Sequence, residues 1–281
     1  MLVELAIGDA YGAGFEYVAE RIVREQNDLS GYVQHPRHGS RAGCYTDDTQ
    51  MSIAVAEALL CDEPWTPQLL AQHFFTAFQR DPREGYAQGF YAFLQSVSDG
   101  HEFVARIRPD SDKSGAAMRA CPVGVCASIS DVIERTRLQA ALTHDTPDGT
   151  NAALAAALMT HYCLYCIGPK AQLPEFLAAH VPGEWNVPWQ GKVGPKGMMS
   201  VRAAATAVVA HERLSDLLQA CIAFTGDVDT VATIALAAAS TSEEYDQDLP
   251  EALYEQLEEG SFGRTYLQEL DQRLLALKAA T

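Results

Sequence analysis

The chain has 281 residues, 48% of them apolar, which is enough to bury a sizeable core. Its formal net charge of −17, from 20 basic and 37 acidic side chains, excludes a surface that coats nucleic acid. No run of about 18 residues is purely apolar, so no membrane-spanning helix is expected.

The first residues show neither a basic segment nor a long apolar one, and no secretory leader is expected. Seven cysteines, several in apolar contexts (Cys61, Cys163, Cys221), fit reduced thiols and a cytoplasmic protein. With no internal repeat and no visible boundary, residues 1–281 are expected to form one domain, and a monomer is the default expectation.

Residues 2–10 read as a short helix ending in Gly8-Asp9-Ala10. Gly12 and Gly14 then suggest a tight turn or a close backbone approach, with Glu16 just behind them. A loop is expected over 31–43. It leads into Tyr45-Thr46-Asp47-Asp48-Thr49-Gln50, two adjacent carboxylates flanked by threonines. Met51, Ala54, Val55, Ala58 and Leu59 follow at helical spacing, so Thr46 to Thr49 occupy a helix cap or first turn. A helix start has few donors to satisfy, so capping explains one of these residues and not four. Residues 67–80 and 88–97 read as further helices, with His73 packed on an apolar face of the first.

Ser111 to Arg119 resembles a helix start, where backbone N–H groups can receive phosphate oxygens; Arg119 reads as a surface or bracing residue. Residues 128–142 form a helix that ends at Thr143-His144, where His144 can cap a helix C-terminus. Ala152 to Tyr165 is apolar all round and expected to be buried on several sides. Cys163 and Cys166 have metal-knuckle spacing without a second pair and read as core. Residues 181–197 are the longest irregular stretch, and Trp185 and Trp189 there can either stack on a ring or pack an interface. Helices are expected at 200–212 and 214–223. Gly226-Asp227-Val228-Asp229-Thr230 then precedes the apolar run Val231 to Ala239. A helix at 250–257 and an amphipathic one with Tyr266, Leu267, Leu270, Leu274 and Leu277 on one face close the chain. About ten helices and no alternating strand define an all-α class.

Asp227 and Asp229 would diverge inside a helix, but in a turn before one they can aim at a single point. If the two acidic stretches meet, four carboxylates and several hydroxyls converge. Such a set suits a hard divalent cation, and its charge calls for two ions rather than one. The competing reading is two unrelated caps. An acid-lined metal site suits a sugar diol or a phosphate ester. For a pyrophosphate, the metals and helix N-termini would have to outweigh the acidic surface locally.

In Gly8-Asp9-Ala10 through Glu16, Tyr45 through Gln50, Ser114-Gly115-Ala116-Ala117-Met118-Arg119, Thr143-His144 and Gly226 through Thr230, the chain resembles the ADP-ribosylglycohydrolase family over nearly its whole length. The resemblance implies a single-domain orthogonal helical bundle and a binuclear Mg²⁺ site, sometimes Mn²⁺. It implies Thr46, Asp47, Asp48, Asp227, Asp229 and Thr230 as ligands and Glu16 as a metal-proximal or gating acid. Ser114, Gly115 and Met118 would line the ADP-ribose diphosphate, and His144 would lie near the substrate cleft. The implied reaction is hydrolysis of the bond between ADP-ribose and a protein side chain or small molecule, with Asp47, Asp48 or Asp229 as base. Two departures leave the acceptor open: an alanine-rich helix after Thr230, and no additional aspartate near Arg83 to Phe90. A two-metal phosphoesterase and a catalytically silent binding, immunity or structural relative are the alternatives.

Overall fold

A computed structural model describes residues 1–37 and 39–279; His38, within the expected 31–43 loop, lies outside the described residues. The first helices are α1 (Leu2–Ala13), α2 (Glu20–Gln26), α3 (Asp47–Leu59), α4 (Pro67–Arg80), α5 (Gln88–Ser96) and α6 (Gly100–Arg106). The middle of the chain holds α7 (Gly115–Met118), α8 (Ile129–Ala141), α9 (Pro147–Leu164) and α10 (Leu173–His180). The last part adds α11 (Gly197–Ala210), α12 (Leu214–Ala223), α13 (Val228–Ala239), α14 (Glu251–Gln256) and α15 (Arg264–Ala279). Among the described residues, β pairing is limited to isolated bridges, so the architecture is all-α.

The centre is built from small side chains. α9 and α13 are alanine-rich and buried on every face. α9 packs against α8, α11, α13 and the α7 turn, while α1 lies along α13. Helix axes can approach this closely only where side chains are small. At Gly8 an added Cβ would fall 2.6 Å from the Ala232 carbonyl oxygen. The outer helices are amphipathic in the ordinary way. In α4, capped by the Thr66 hydroxyl accepting from the Leu69 N–H, the buried positions are Leu70, Ala71, Phe74, Ala77 and Phe78.

Several sequence expectations change here. α1 does not stop at Gly8-Asp9-Ala10 but runs on through Gly12, so the paired glycines serve a close backbone approach. α2, α6 and α10 were not anticipated. They are seven or eight residues long and bury only one or two side chains each, too few for a 3.6-residue period to register. The stretch opening at Ser114 is a single helical turn followed by a 3₁₀ segment at Cys121–Val125. Cys163 is buried, but Cys166 is exposed at a positive φ of 49° just past α9 and is not core. His73 is half-buried 4.0 Å from Glu57, packed as expected. On α15, Leu267, Leu270 and Leu274 are buried while Leu277 is 37% exposed, so the apolar face ends before it.

Candidate active site

Both acidic stretches start helices, and both helix starts open on the same cleft, about 480 Å³ in volume. Asp47 and Asp48 form the first turn of α3, with Thr46 as N-cap. Asp227 is the N-cap of α13, and Asp229 and Thr230 lie in its first turn. Because Asp227 sits outside the helix (φ −80°, ψ 63°), its carboxylate can turn toward that of Asp229. Oxygens of Glu16, Asp227 and Asp229 lie within 4.8 Å of one another. The Thr230 hydroxyl lies against Asp48 and favours its charged form, which joins the two stretches directly. Glu16, Asp47, Asp48, Asp227, Asp229 and Thr230 all line the cleft.

Thr46 is placed differently. It is buried, and its hydroxyl donates to Asp9 Oδ1 at 2.7 Å. Asp9, on α1, also accepts from the Thr46 N–H and the Thr49 N–H at 2.9 Å and from the Thr49 hydroxyl at 2.6 Å. An aspartate from another helix thus caps α3, and the Thr46 side chain makes no cap bond of its own. Burial pushes the Asp9 pKa up and these four donors pull it back. No role was assigned to Asp9 from the sequence. The available signal was an acid, the second after Glu4, inside the mostly apolar run from Leu2 to Tyr11.

Glycines make room for the acids. Gly85 has φ +102°, and a Cβ there would overlap Asp47 Oδ1 and lie 3.0 Å from Thr46 Cβ. The Asp47 N–H donates to the neighbouring Glu84 carbonyl. The Ser200 hydroxyl donates to Asp227 Oδ2 at 3.1 Å, and Ser114 also bonds to that carboxylate. Ser114, Gly115, Met118 and His144 line the cleft as well. From the irregular stretch 181–197 only Pro195 does so. Trp185 is buried and its indole donates to the Val181 carbonyl, the Trp189 indole donates to the Gly191 carbonyl, and neither residue lines the cleft, so neither is a cleft-side stacking ring.

The electrostatics are those of crowded anions. Burial, then Glu16 and Asp48, push the Asp229 pKa well above the carboxylate range; burial, then Asp9, do the same to Asp47 and Asp48. Burial and Asp227 raise Glu16 to about 7, and burial raises Asp227 to about 6. Among the described residues, Asp48 Oδ2 is buried with no hydrogen-bond partner. A cluster of oxygen donors that repel one another and leave a buried oxygen unpaired is the donor set of a hard divalent cation. The same cleft carries Arg106, Arg108, Lys113 and Arg119, which answers the difficulty that the acidic surface poses for an anionic ligand.

A pH dependence follows for the metal-free protein. Glu16 and Asp227 have ordinary values of 4.5 and 3.8 and folded values of about 7 and about 6. Across that window the native chain holds more protons than the unfolded one. Stability therefore falls as pH rises from about 4 to 7, and Asp47, Asp48 and Asp229, raised further still, continue the fall above that window. Melting temperatures in EDTA should trace this fall, and Mg²⁺ should reverse it at pH 7. A flat profile that ignores Mg²⁺ would contradict the site.

The ADP-ribosylglycohydrolase family profile matches residues 1–281. The chain is 31% identical over 185 residues to ADP-ribosylhydrolase ARH3 of Xenopus tropicalis, which covers 63% of this chain and 53% of that protein. It is 30% identical over 188 residues to ADP-ribosylhydrolase ARH3 of Bos taurus, covering 62% and 52% respectively. It thus aligns with about half the length of these curated relatives. A solved structure titled ADP-ribosylglycohydrolase-related protein complex superposes with a TM-score of 0.74 at 22% identity, covering 99% of this chain and 96% of that one, a likeness of fold. With a family match over its full length and an all-α fold shared with that structure, the chain belongs to the ADP-ribosylglycohydrolase family.

Proposed function

We propose that the protein is a divalent-metal-dependent hydrolase that cleaves the glycosidic bond between ADP-ribose and an acceptor, either a protein side chain or a small molecule. The observation that carries this reading is the meeting of two acidic helix starts, far apart in sequence, in one cleft that also bears basic side chains. Asp47, Asp48, Asp227, Asp229 and Thr230 would hold two Mg²⁺ ions, or Mn²⁺ in their place, with Thr46 braced behind them by Asp9 and Glu16 beside Asp227 and Asp229. Bound there, the ions would polarise ribose hydroxyls and lower the pKa of a water.

Asp47, Asp48 or Asp229 takes the proton from the attacking water. Charge at the anomeric carbon is positive in an oxocarbenium-like transition state, so the remaining carboxylates favour it over the neutral ground state. Ser114, Gly115, Met118 and His144 orient the rest of the nucleotide, with Lys113 and Arg119 offsetting its negative charge.

The test is to offer ADP-ribosylated arginine, serine, nucleic-acid and small-molecule conjugates with Mg²⁺ and to identify products by mass. Release of free ADP-ribose supports the glycohydrolase. Release of AMP would point instead to a phosphoesterase, and no cleavage of any conjugate to a binding protein.

A further inference from the structure

Arg119 is 1% exposed, and its hydrogen-bond partners are all neutral. Its Nε donates to Gln139 Oε1, and its Nη2 donates to the Gln139 carbonyl and to Thr143 Oγ1 at 2.8 Å. Its guanidinium also lies 4.5 Å from the centre of the Phe74 ring. The Gln139 amide is fixed in turn, donating to the Ala116 carbonyl.

Thr143 Oγ1 makes one more contact, 2.7 Å to His144 Nδ1. A hydroxyl has one proton, and Arg119 can only donate to it. If Nδ1 carried a proton, Thr143 would accept from two donors and its own buried proton would face no acceptor. The count closes only when Thr143 donates to a bare Nδ1, which puts the imidazole proton on Nε2. His144 is 6% exposed and lines the cleft, and among the described residues its Nε2 has no partner. Gly115 leaves that edge of the ring open: a Cβ there would come within 3.1 Å of Cε1 and 3.4 Å of Nε2.

We propose that Arg119 and Thr143 are positioning residues that lock His144 as the Nε2–H tautomer, so that it presents the cleft with a hydrogen-bond donor to an oxygen of bound ADP-ribose. The identity of that ligand rests on the function proposed above; the tautomer does not. Burial and the Arg119 charge, opposed by Asp112, hold the His144 pKa down to about 3, so the ring stays neutral at working pH. A ring near 6.5 would instead switch between neutral donor and cation. The expected helix-capping cation at this position is thereby replaced by a neutral donor turned to the cleft.

The test uses the full chain with histidine labelled in ¹⁵N, the His144 signals being assigned by their loss in His144→Gln. Long-range ¹H–¹⁵N spectra of ligand-free wild type should show a bare Nδ1 and a protonated Nε2 that do not change between pH 5 and 8. Thr143→Val should raise the Nδ1–H population and weaken ADP-ribose binding, measured by calorimetry, about tenfold. Thr143→Ser should restore both. Arg119→Met risks misfolding because the side chain is fully buried, so the Thr143 pair carries the decision. A protonated Nδ1 in wild type, titration near 6.5, or a Thr143→Val protein with wild-type spectra and affinity would overturn the relay. Wild type with the expected spectra but no affinity for ADP-ribose would overturn the ligand assignment alone.

Discussion

Asp229→Asn is expected to reduce turnover of the best conjugate by about 10²–10⁴-fold, the range for loss of a positioned proton acceptor. The substitution keeps the size of the side chain and replaces a buried ionisable group that faces Glu16, Asp48 and Asp227 by a neutral one. The exchange has opposite consequences with and without metal. In EDTA the variant should melt above wild type, because folding no longer has to take up a proton, or crowd a charge, at a carboxylate whose pKa the fold raises. In Mg²⁺ it should melt below wild type, because a ligand is gone and the stabilisation that binding confers shrinks with affinity. Calorimetric Mg²⁺ titration and paired melts read both signs. A variant that keeps its turnover, or loses stability equally in both conditions, would remove Asp229 from the metal cluster. A variant that loses turnover but binds ADP-ribose normally separates a hydrolase from a silent binding relative.

The acidic stretches were legible because they violate the grammar of a buried helix. Asp47-Asp48 and Asp227-Val228-Asp229 precede runs of small apolar residues, and no cap needs that many oxygens. Their meeting could be inferred only through the family resemblance, since nothing local encodes which helix start faces which. Asp9 escaped because an acid in a mostly apolar helix that also carries Glu4 reads as a solvent position. Its role appears only when α1 is set beside α3 and four donors converge on it. Arg119 was ambiguous for the same reason. An arginine buried without a carboxylate is rare, and the neutral groups that satisfy it come from α8 and from the residues just after it. Trp185 and Trp189, left open between stacking and packing, illustrate the reverse case. Aromatic residues in a long loop invite a functional reading, yet here their indole N–H groups are spent on nearby carbonyls and their rings on packing.

Gly12→Ala should damage both the fold and the site, although Gly12 carries no chemistry. It lies inside α1, where α1 runs against the start of α13. A Cβ at this position would overlap the Asp229 Cα and lie 2.7 Å from the Asp229 backbone nitrogen. Backbone cannot rotate out of the way as a side chain tip can, so α1 must move off α13. Overpacking of this kind costs about 1–3 kcal/mol, and this contact belongs at the upper end because it meets main chain. α1 also carries Asp9, the cap of α3, and leads into Glu16, so its displacement shifts both acidic stretches relative to each other. A misplacement near 1 Å can reduce rate by about 10²-fold. Gly89→Ala is the control for the fold: it lies in α5 on the wall of the same cleft, an added Cβ there meets nothing within 4 Å, and it should gain about 0.5–1 kcal/mol from the lost backbone freedom of glycine. Urea melts of the two variants, and turnover of Gly12→Ala against wild type, measure the contrast. If Gly12→Ala unfolds at the wild-type midpoint and turns over at the wild-type rate, then close contact between α1 and the Asp229 backbone is not what registers the two halves of the site.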